Sequence, residues 1–314
     1  MRVERRRRAP SVLPTETARA HILAVMMSVG VGITAAVAED LVAEPAPEWT
    51  ALFDREHDWT GADGIFSIPL NGREVGAGHD SESRTLILFS DTAIGEVGSA
   101  GERLEGTKLV NNTLAVLRGT APEPDRIEFF WGGRITSEPA AIIAPETPDA
   151  RDGEWYWLGD GVAIGDKVHI LAIRMRKTEA AVFGFATSGV NLLSLDLALA
   201  HPFGNQQQRD TPFFREPEGE HGDMTFGSGI LVNTEAAGAP NPDGFIYVYG
   251  VWNDPSKKLM AARVRPEAFT DFDAWRFWDG DGWSAQLDDA SPITDQISNE
   301  LSVSPLADGR YILV

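Results

Sequence analysis

The sequence Gly61-Ala62-Asp63-Gly64-Ile65-Phe66-Ser67-Ile68-Pro69-Leu70 turns apolar directly after an aspartate, and the stretch Thr85-Leu86-Ile87-Leu88-Phe89-Ser90-Asp91-Thr92 is apolar until a second aspartate. Between them lies Asn71-Gly72, a dipeptide typical of turns between antiparallel strands. We therefore expect a β-hairpin in which the start of one strand lies beside the end of the next. Asp63 and Asp91 would then meet at one edge of the sheet.

Two carboxyl groups on one sheet edge have a specific chemical use. Glycoside hydrolysis requires a pair of carboxyl groups that flank one bond, roughly 5 to 10 Å apart depending on the mechanism. The alternative is that Asp63 and Asp91 each accept backbone hydrogen bonds in a turn, a common role for aspartate. The sequence leaves both interpretations open.

Composition and charge exclude several classes of function. The chain has 314 residues, 43% of them hydrophobic, which is enough for a large core. It has no cysteine, so disulfides, thiolate nucleophiles and thiolate metal sites are excluded. Its formal net charge of −20 repels phosphate backbones, so nucleic acid is not an expected partner, whereas a neutral carbohydrate is compatible. No cofactor motif is present in a suitable context, and a metal requirement is left undetermined.

The N-terminal region has the pattern of an export signal. Arg5 to Arg8 form a basic segment, Ile22 to Val37 are mostly apolar and small, and Ala36-Val37-Ala38 fits a cleavage site. We interpret residues 1–38 as a signal peptide and expect a secreted or periplasmic protein with no membrane span in the mature chain. The alternative is an uncleaved anchor, for which the apolar run is short. Residues 39–57 would be a linker or a closing strand.

Strand patterns dominate after this segment and recur in a loose repeat. A small or polar cluster precedes an apolar strand at five places, with about 50 to 70 residues between them. These places are marked by Asp63, Asn112, Asp160, Ser228 and Glu300. The spacing predicts an all-β, five-bladed β-propeller over residues 58–314, with a β-sandwich as the alternative. The chain ends within an apolar strand, which suggests an incomplete last blade and a C-terminally truncated fragment.

Aromatic residues and one long polar segment are further candidates for ligand contacts. Trp155 and Trp157 lie on one face of a predicted strand, and Trp252, Trp275, Trp278 and Trp283 follow; indole rings can stack on sugars, although packing between blades also uses them. The segment from His201 to Asp223 has little strand character and could form a lid. His201, His221 and Asp223 could bind metal or substrate there, but their spacing matches no firm metal motif.

Several motifs in order resemble one family of secreted proteins. The two stretches quoted first are followed by Asn111-Asn112-Thr113 and Trp157-Leu158-Gly159-Asp160-Gly161. Further along come Phe245-Ile246-Tyr247-Val248-Tyr249-Gly250, Leu259-Met260-Ala261-Ala262-Arg263-Val264 and Trp275-Arg276-Phe277-Trp278-Asp279-Gly280. Over about residues 58–314 the chain resembles a family of secreted five-bladed propellers, formerly of unknown function, that includes bacterial endo-D-arabinanases.

The resemblance implies glycoside hydrolysis by paired aspartates at Asp63 and Asp91, although this chain has Ser90-Asp91-Thr92 where Gly-Asp-Thr is usual. If the repeated strands run parallel around one axis, their starts meet at a common mouth. We therefore expect Asn112, Asp160, Glu300 and Trp157 to bind substrate or adjust the pair. The alternative for Asp160 and Glu300 is hydrogen bonding to the backbone at a strand start, and Asn111 and Asn112 could be turn residues alone. Two other functions stay open: a non-catalytic carbohydrate-binding propeller and a surface scaffold for protein interaction.

Overall fold

The computed structural model describes residues 44–75, 81–133, 138–179, 183–197, 206–306 and 308–314. The signal-peptide interpretation of residues 1–38 therefore lies outside the described residues. The rest is an all-β chain in which every strand pairing is antiparallel. The helical elements described are one short α-helix and four 3-10 turns: Pro47–Thr50, Pro124–Arg126, Pro266–Ala268, Phe272–Ala274 and Leu287–Asp289.

The predicted hairpin belongs to the first sheet. This sheet has the order β2-β3-β6-β7, formed by Phe66–Pro69, Arg84–Phe89, Thr113–Arg118 and Ile127–Phe130. An extension sheet, β1-β4-β5, consists of His57–Ala62, Thr92–Glu96 and Lys108–Val110. The pairing of β2 with β3 confirms the hairpin, and it brings Phe66 opposite Leu88.

Two larger sheets follow along the chain. The second sheet has the order β8-β9-β10-β11, with strands Trp155–Ile164, Lys167–Lys177, Phe185–Asp196 and Gln207–Asp210. The third sheet runs from β12 to β17, with strands Phe214–Arg215, Met224–Asn233, Phe245–Trp252, Lys258–Val264, Arg276–Trp278 and Trp283–Ser284; β18, Thr294–Asp295, pairs with β15. A C-terminal hairpin pairs β19, Val303–Pro305, with β20, Tyr311–Leu313.

The sheets pack face to face in chain order. One buried cluster joins the first and second sheets through residues such as Ile68 and Leu158, and another joins the second and third through Leu171 and Phe226. Close approach between the sheets requires glycine at two positions. A Cβ on Gly159 would lie 2.4 Å from the carbonyl oxygen of Gly227, and a Cβ on Gly229 would lie 2.7 Å from that of Leu301. Strands β2, β8, β13 and β19 are thereby neighbours in succession.

The five predicted repeat starts do not all begin new sheets. Asp63 and Glu300 lie shortly before β2 and β19, and Asp160 and Ser228 lie inside β8 and β13, but Asn112 precedes β6, the third strand of the first sheet. The polar pair Asn111-Asn112 resembles a repeat start because it separates β5 from β6. This break lies beside the breaks at Asp63 and Asp91 in the neighbouring strands. The described strands therefore supply four starts where five were expected.

Two other segments differ from their expected character. The described part of residues 39–57 forms a helical turn, Pro47–Thr50, with Leu52 buried behind it, before β1 begins at His57. The segment from residue 206 to 223 contains β11 and β12, although little strand was expected there. The polar residues of β11 tolerate strand geometry because β11 lies at a sheet edge, paired on one side with β10. His201 lies outside the described residues.

Candidate functional site

Three neighbouring strands of the first sheet are interrupted side by side. The breaks fall between β1 and β2 at Asp63, between β3 and β4 at Asp91, and between β5 and β6 at Asn111. The Asp63 N–H donates to the Asp91 carbonyl oxygen at 3.1 Å, and the Ser90 N–H donates to the Asp63 carbonyl oxygen at 2.9 Å. Asp63, Asp91 and Asn111 thus lie at the same level of the sheet; the hairpin pattern predicts this for the two aspartates alone.

The Asp91 carboxylate is held by two N–H donors. The Trp157 indole Nε1–H donates to Asp91 Oδ1 at 2.8 Å, and the Asn111 amide Nδ2–H donates to the same oxygen at 3.2 Å. Two donors on one oxygen are the arrangement expected around an ionised carboxylate. Trp157 lies in β8, so its hydrogen bond to Asp91 joins the second sheet to the hairpin of the first.

Asp63 combines exposure to a cavity with a neighbouring negative charge. Burial of the carboxyl group, followed by the charge of Asp91, raises the pKa of Asp63. Glu300, which precedes β19, approaches from the end of the chain: its carboxylate accepts a hydrogen bond from the Gly64 N–H. Burial and then the charge of Asp63 raise the pKa of Glu300. The raised pKa values of Asp63 and Glu300 favour the protonated form of these two carboxyls up to a higher pH than is usual for aspartate and glutamate.

A cavity of about 580 Å³ opens between the first, second and third sheets at this point. Asp63 and Glu300 line it together with Trp157, so three of the predicted site residues share one cavity. Its remaining walls differ in character. One part of the lining, the aromatic wall, is formed by Trp157, Phe183 and Phe185. Another part, the polar wall, is formed by Asp223, Asn253, Lys257 and Asn299.

The polar wall is a chain of hydrogen bonds centred on Lys257. The Lys257 ammonium donates to Asn253 Oδ1 at 3.1 Å and makes a short contact with Asn299 Oδ1. Asn253 Nδ2–H in turn donates to Asp223 Oδ1 at 3.0 Å. Lys257 holds a φ of 42°, a left-handed backbone conformation that is uncommon outside glycine, and such strain is often found at ligand sites.

Asn112 does not reach this cavity. Its side chain is fully buried, donates to the carbonyl oxygens of Ile143 at 2.9 Å and Tyr156 at 3.0 Å, and accepts from the Ile143 N–H at 2.9 Å. Its amide thereby fastens β6 to β8. Asn111, one residue earlier, points to the other side of the strand break and contacts Asp91 instead.

Asp160 lies apart from the Asp63 pair, in the β-bulge of β8 between Leu158 and Gly161. Its carboxylate accepts from the Gly161 N–H at 2.8 Å and from the Ile230 N–H at 2.6 Å, which ties β8 to β13. Asp160 and Glu74 line a second cavity of about 810 Å³. Burial raises the pKa of Asp160 to about 7, and burial with the charge of Asp160 raises that of Glu74 to about 8.

The predicted metal candidates separate in the structure. His221 contacts Asp254 at 3.3 Å, whereas Asp223 faces the cavity and binds Asn253. Within the described ranges, no group of three or more histidine, aspartate or glutamate side chains is arranged to hold a metal ion. No helix among the described residues is long and apolar enough to cross a membrane.

Sequence reasoning missed Lys257, Phe183, Phe185 and Glu74. Lys257 and Phe183 lie in loops beside strand ends, where local patterns give no periodicity to read. The aromatic wall did have a signal, because Phe183 and Phe185 are separated by one residue, a spacing that places both on one side of an extended segment.

The fold is similar to that of solved structures. One of these is the crystal structure of a candidate hydrolase from Bacteroides ovatus ATCC 8483, with a TM-score of 0.57 and 17% sequence identity. The match covers 83% of this chain and 65% of that one, so the chain spans about two thirds of the length of that protein. At this identity the likeness concerns the fold. No curated protein matches the sequence.

Residues 47–314 match the family described as domain of unknown function DUF5005. The matched range begins at the short helix Pro47–Thr50 and includes all the strands described above, together with both cavities. The chain therefore belongs to the DUF5005 family.

Proposed function

We propose that this protein hydrolyses glycosidic bonds in a carbohydrate through Asp63 and Asp91. The observation that carries the proposal is the pairing of the two residues across aligned strand breaks, beside a cavity that Asp63 lines and in which burial and Asp91 raise the Asp63 pKa. Hydrolysis of a glycosidic bond needs one carboxyl that keeps a proton and one that is ionised. The hydrolase assignment of the Bacteroides ovatus protein is compatible with this chemistry.

The surroundings of the two residues suggest a division of roles. Asp63, with its raised pKa, donates a proton to the leaving glycosidic oxygen as the bond to the anomeric carbon breaks. Asp91, held by Trp157 and Asn111, is the ionised partner. It either removes a proton from an attacking water or bonds to the anomeric carbon itself, in which case water later releases the sugar.

Glu300 and Trp157 complete the proposed site as substrate-binding residues. Both line the cavity together with Asp63, and Glu300 accepts the Gly64 N–H, so a sugar beside Asp63 would lie within reach of both. Asn112 and Asp160 are left out of the substrate contacts proposed here, because hydrogen bonds to the backbone occupy both.

Three finer statements belong to the same proposal. A β-propeller is supported by the succession of β2, β8, β13 and β19 as neighbouring strands that belong to four successive antiparallel sheets. An arabinan-type polysaccharide is the first substrate to test, following the family resemblance of the motifs. Export to the periplasm or the medium would bring the acidic protein to such a polymer.

The test is release of reducing sugar from a panel of polysaccharides that includes arabinan, xylan and β-glucan. Wild-type protein is compared with Asp63→Asn and Asp91→Asn, and with Asp125→Asn as an exposed control away from the site. We expect wild type and the control to release sugar from one polymer, and each site variant to lose at least a hundredfold in rate. Binding of a polymer without release by the wild type would favour a non-catalytic carbohydrate-binding protein instead.

A further inference from the structure

An aromatic strip leads from the Asp91 carboxylate to the protein surface. It consists of Trp157, Phe185 and Phe183, with ring centroids 4.9 Å apart between Trp157 and Phe185 and 5.8 Å apart between Phe185 and Phe183. Its inner end is fixed by the hydrogen bond from Trp157 to Asp91. All three rings line the cavity of about 580 Å³. The strip is therefore continuous with the proposed catalytic pair.

The outer end of the strip is exposed to an unusual degree. Phe183 leaves 76% of its surface accessible, the highest value among the exposed large hydrophobic residues described. It is presented by the turn between β9 and β10, which is closed by a hydrogen bond from the Thr178 N–H to the Gly184 carbonyl oxygen at 2.9 Å. Single exposed apolar residues are common on protein surfaces, but this one continues the row of the half-buried rings of Trp157 and Phe185 along the cavity.

The polar wall of the same cavity decides which ligand suits the strip. Asn253, Lys257 and Asn299 line the cavity together with the three rings, and their amide and ammonium groups form one hydrogen-bonded chain. A ligand in this cavity therefore meets both aromatic rings and hydrogen-bonding groups. Sugar rings have this dual surface, with apolar C–H faces and a rim of hydroxyl groups, whereas a purely apolar ligand would leave the polar wall unsatisfied.

We propose that Phe183 and Phe185 form a binding subsite for a sugar unit of a polymeric glycan, next to the unit held beside Asp63. The proposal rests on the proposed function for the class of ligand, but binding at the strip requires no bond cleavage. It makes this protein selective for chains over single sugars and disaccharides. Phe183 is then the residue that determines the preference for length.

Affinity electrophoresis separates binding from cleavage. Asp63→Asn protein, which we expect to be unable to cleave, is run through native gels that contain arabinan, xylan or β-glucan, beside the double variant Asp63→Asn/Phe183→Ala. We expect one polymer to retard the single variant and the double variant to bind it about tenfold more weakly, which corresponds to about 1.4 kcal/mol. The matched control is Asp63→Asn/Leu104→Ala, which removes an exposed side chain outside the cavity.

Several results would overturn the subsite. Equal retardation of all three proteins would contradict it, as would an equal loss in the Leu104→Ala control. Absence of retardation by every polymer in the panel would also contradict it. If wild-type protein cleaves no polymer but Phe183→Ala still weakens binding, the subsite stands while hydrolysis fails. If cleavage occurs, the ratio of kcat/KM for polymer to that for disaccharide should fall about tenfold in Phe183→Ala.

Discussion

The Asp63 N–H donates a hydrogen bond to the carbonyl oxygen of Asp91 at 3.1 Å, so the backbone itself fixes the two carboxyl-bearing residues side by side. The contact joins residues on two strands that would otherwise pair without interruption. Because both residues lie at strand interruptions at the same level, their side chains need not alternate between the two faces of the sheet as strand residues do. The position of the proposed catalytic pair is thus set by strand pairing, and loop conformation has little part in it.

The Trp157 indole positions Asp91, and its loss should impair turnover more than folding. Trp157→Phe removes the Nε1–H donor to Asp91 but keeps an aromatic ring beside Phe185. A hydrogen bond to a charged group contributes about 1.5–3 kcal/mol, so we expect kcat to fall by about tenfold to a hundredfold.

The matched control for this change is Trp155→Phe. Trp155 lies on the same strand, and its buried Nε1 has no hydrogen-bond partner among the residues that the structure describes, so the substitution removes no such contact. We expect near-wild-type kcat from this variant. Equal losses of kcat in the two variants would show that ring packing matters here and the donor to Asp91 does not.

Two adjacent asparagines should respond in opposite ways to replacement by alanine. Asn112→Ala leaves the buried N–H and C=O of Ile143 and the C=O of Tyr156 without their partner, which should cost about 3 kcal/mol in free energy of unfolding. Asn111→Ala removes a donor to Asp91 at the cavity edge, so kcat should fall about tenfold with little change in stability. Urea unfolding and initial rates are measured on both variants. A stable Asn112→Ala protein, or an unstable Asn111→Ala protein with normal kcat, would contradict this expectation.

Asp63 should destabilise the folded protein at neutral pH. Its folded pKa is raised above the unfolded value, so the folded state binds the proton more tightly, and this advantage disappears as the pH rises through the folded pKa. Asp63→Asn removes the ionised form, so the Tm at pH 7 should rise relative to wild type, and the difference should shrink at pH 3. Thermal unfolding at both pH values tests this, with Asp125→Asn as the control. A Tm decrease at pH 7 alone would contradict the account.

The close contact of the second and third sheets predicts a strict requirement for Gly159. Alanine there would place its Cβ 2.4 Å from the Gly227 carbonyl oxygen and 2.7 Å from that of Leu171, so the strands must shift. Overpacking of this kind costs about 1–3 kcal/mol. In Gly282→Ala, the nearest heavy atom would be 3.8 Å away, so chemical denaturation should show little change for this control. Equal stability of the two variants would count against the packing described.

Local signals explain why part of the site could be predicted. Asp63 and Asp91 bracket an Asn-Gly turn and two apolar runs, and hairpin pairing needs only neighbouring residues. The sequence could not separate Asn111 from Asn112, because a strand break decides which of the two faces the core. The contact of Glu300 with Gly64 joins residues far apart in the chain, and its carboxylate was expected near Asp63 only because of the repeat pattern.

The same reasoning explains the errors in the fold prediction. The repeat pattern predicts a blade start at Asn112 because a polar pair before an apolar strand looks the same at a strand interruption and at a sheet's first strand. The sequence of Gln207–Asp210 predicts a loop because an edge strand needs no apolar alternation when one side is free. Neither distinction is encoded within a short window of sequence.

Release of reducing sugar by wild type, Asp63→Asn and Asp91→Asn from the polysaccharide panel tests the central claim most directly. The account predicts release by the wild type from one polymer and a loss of at least a hundredfold in each variant, with the circular dichroism spectra of the variants unchanged. Undiminished release by a folded Asp63→Asn or Asp91→Asn protein would contradict the assignment of this pair to catalysis.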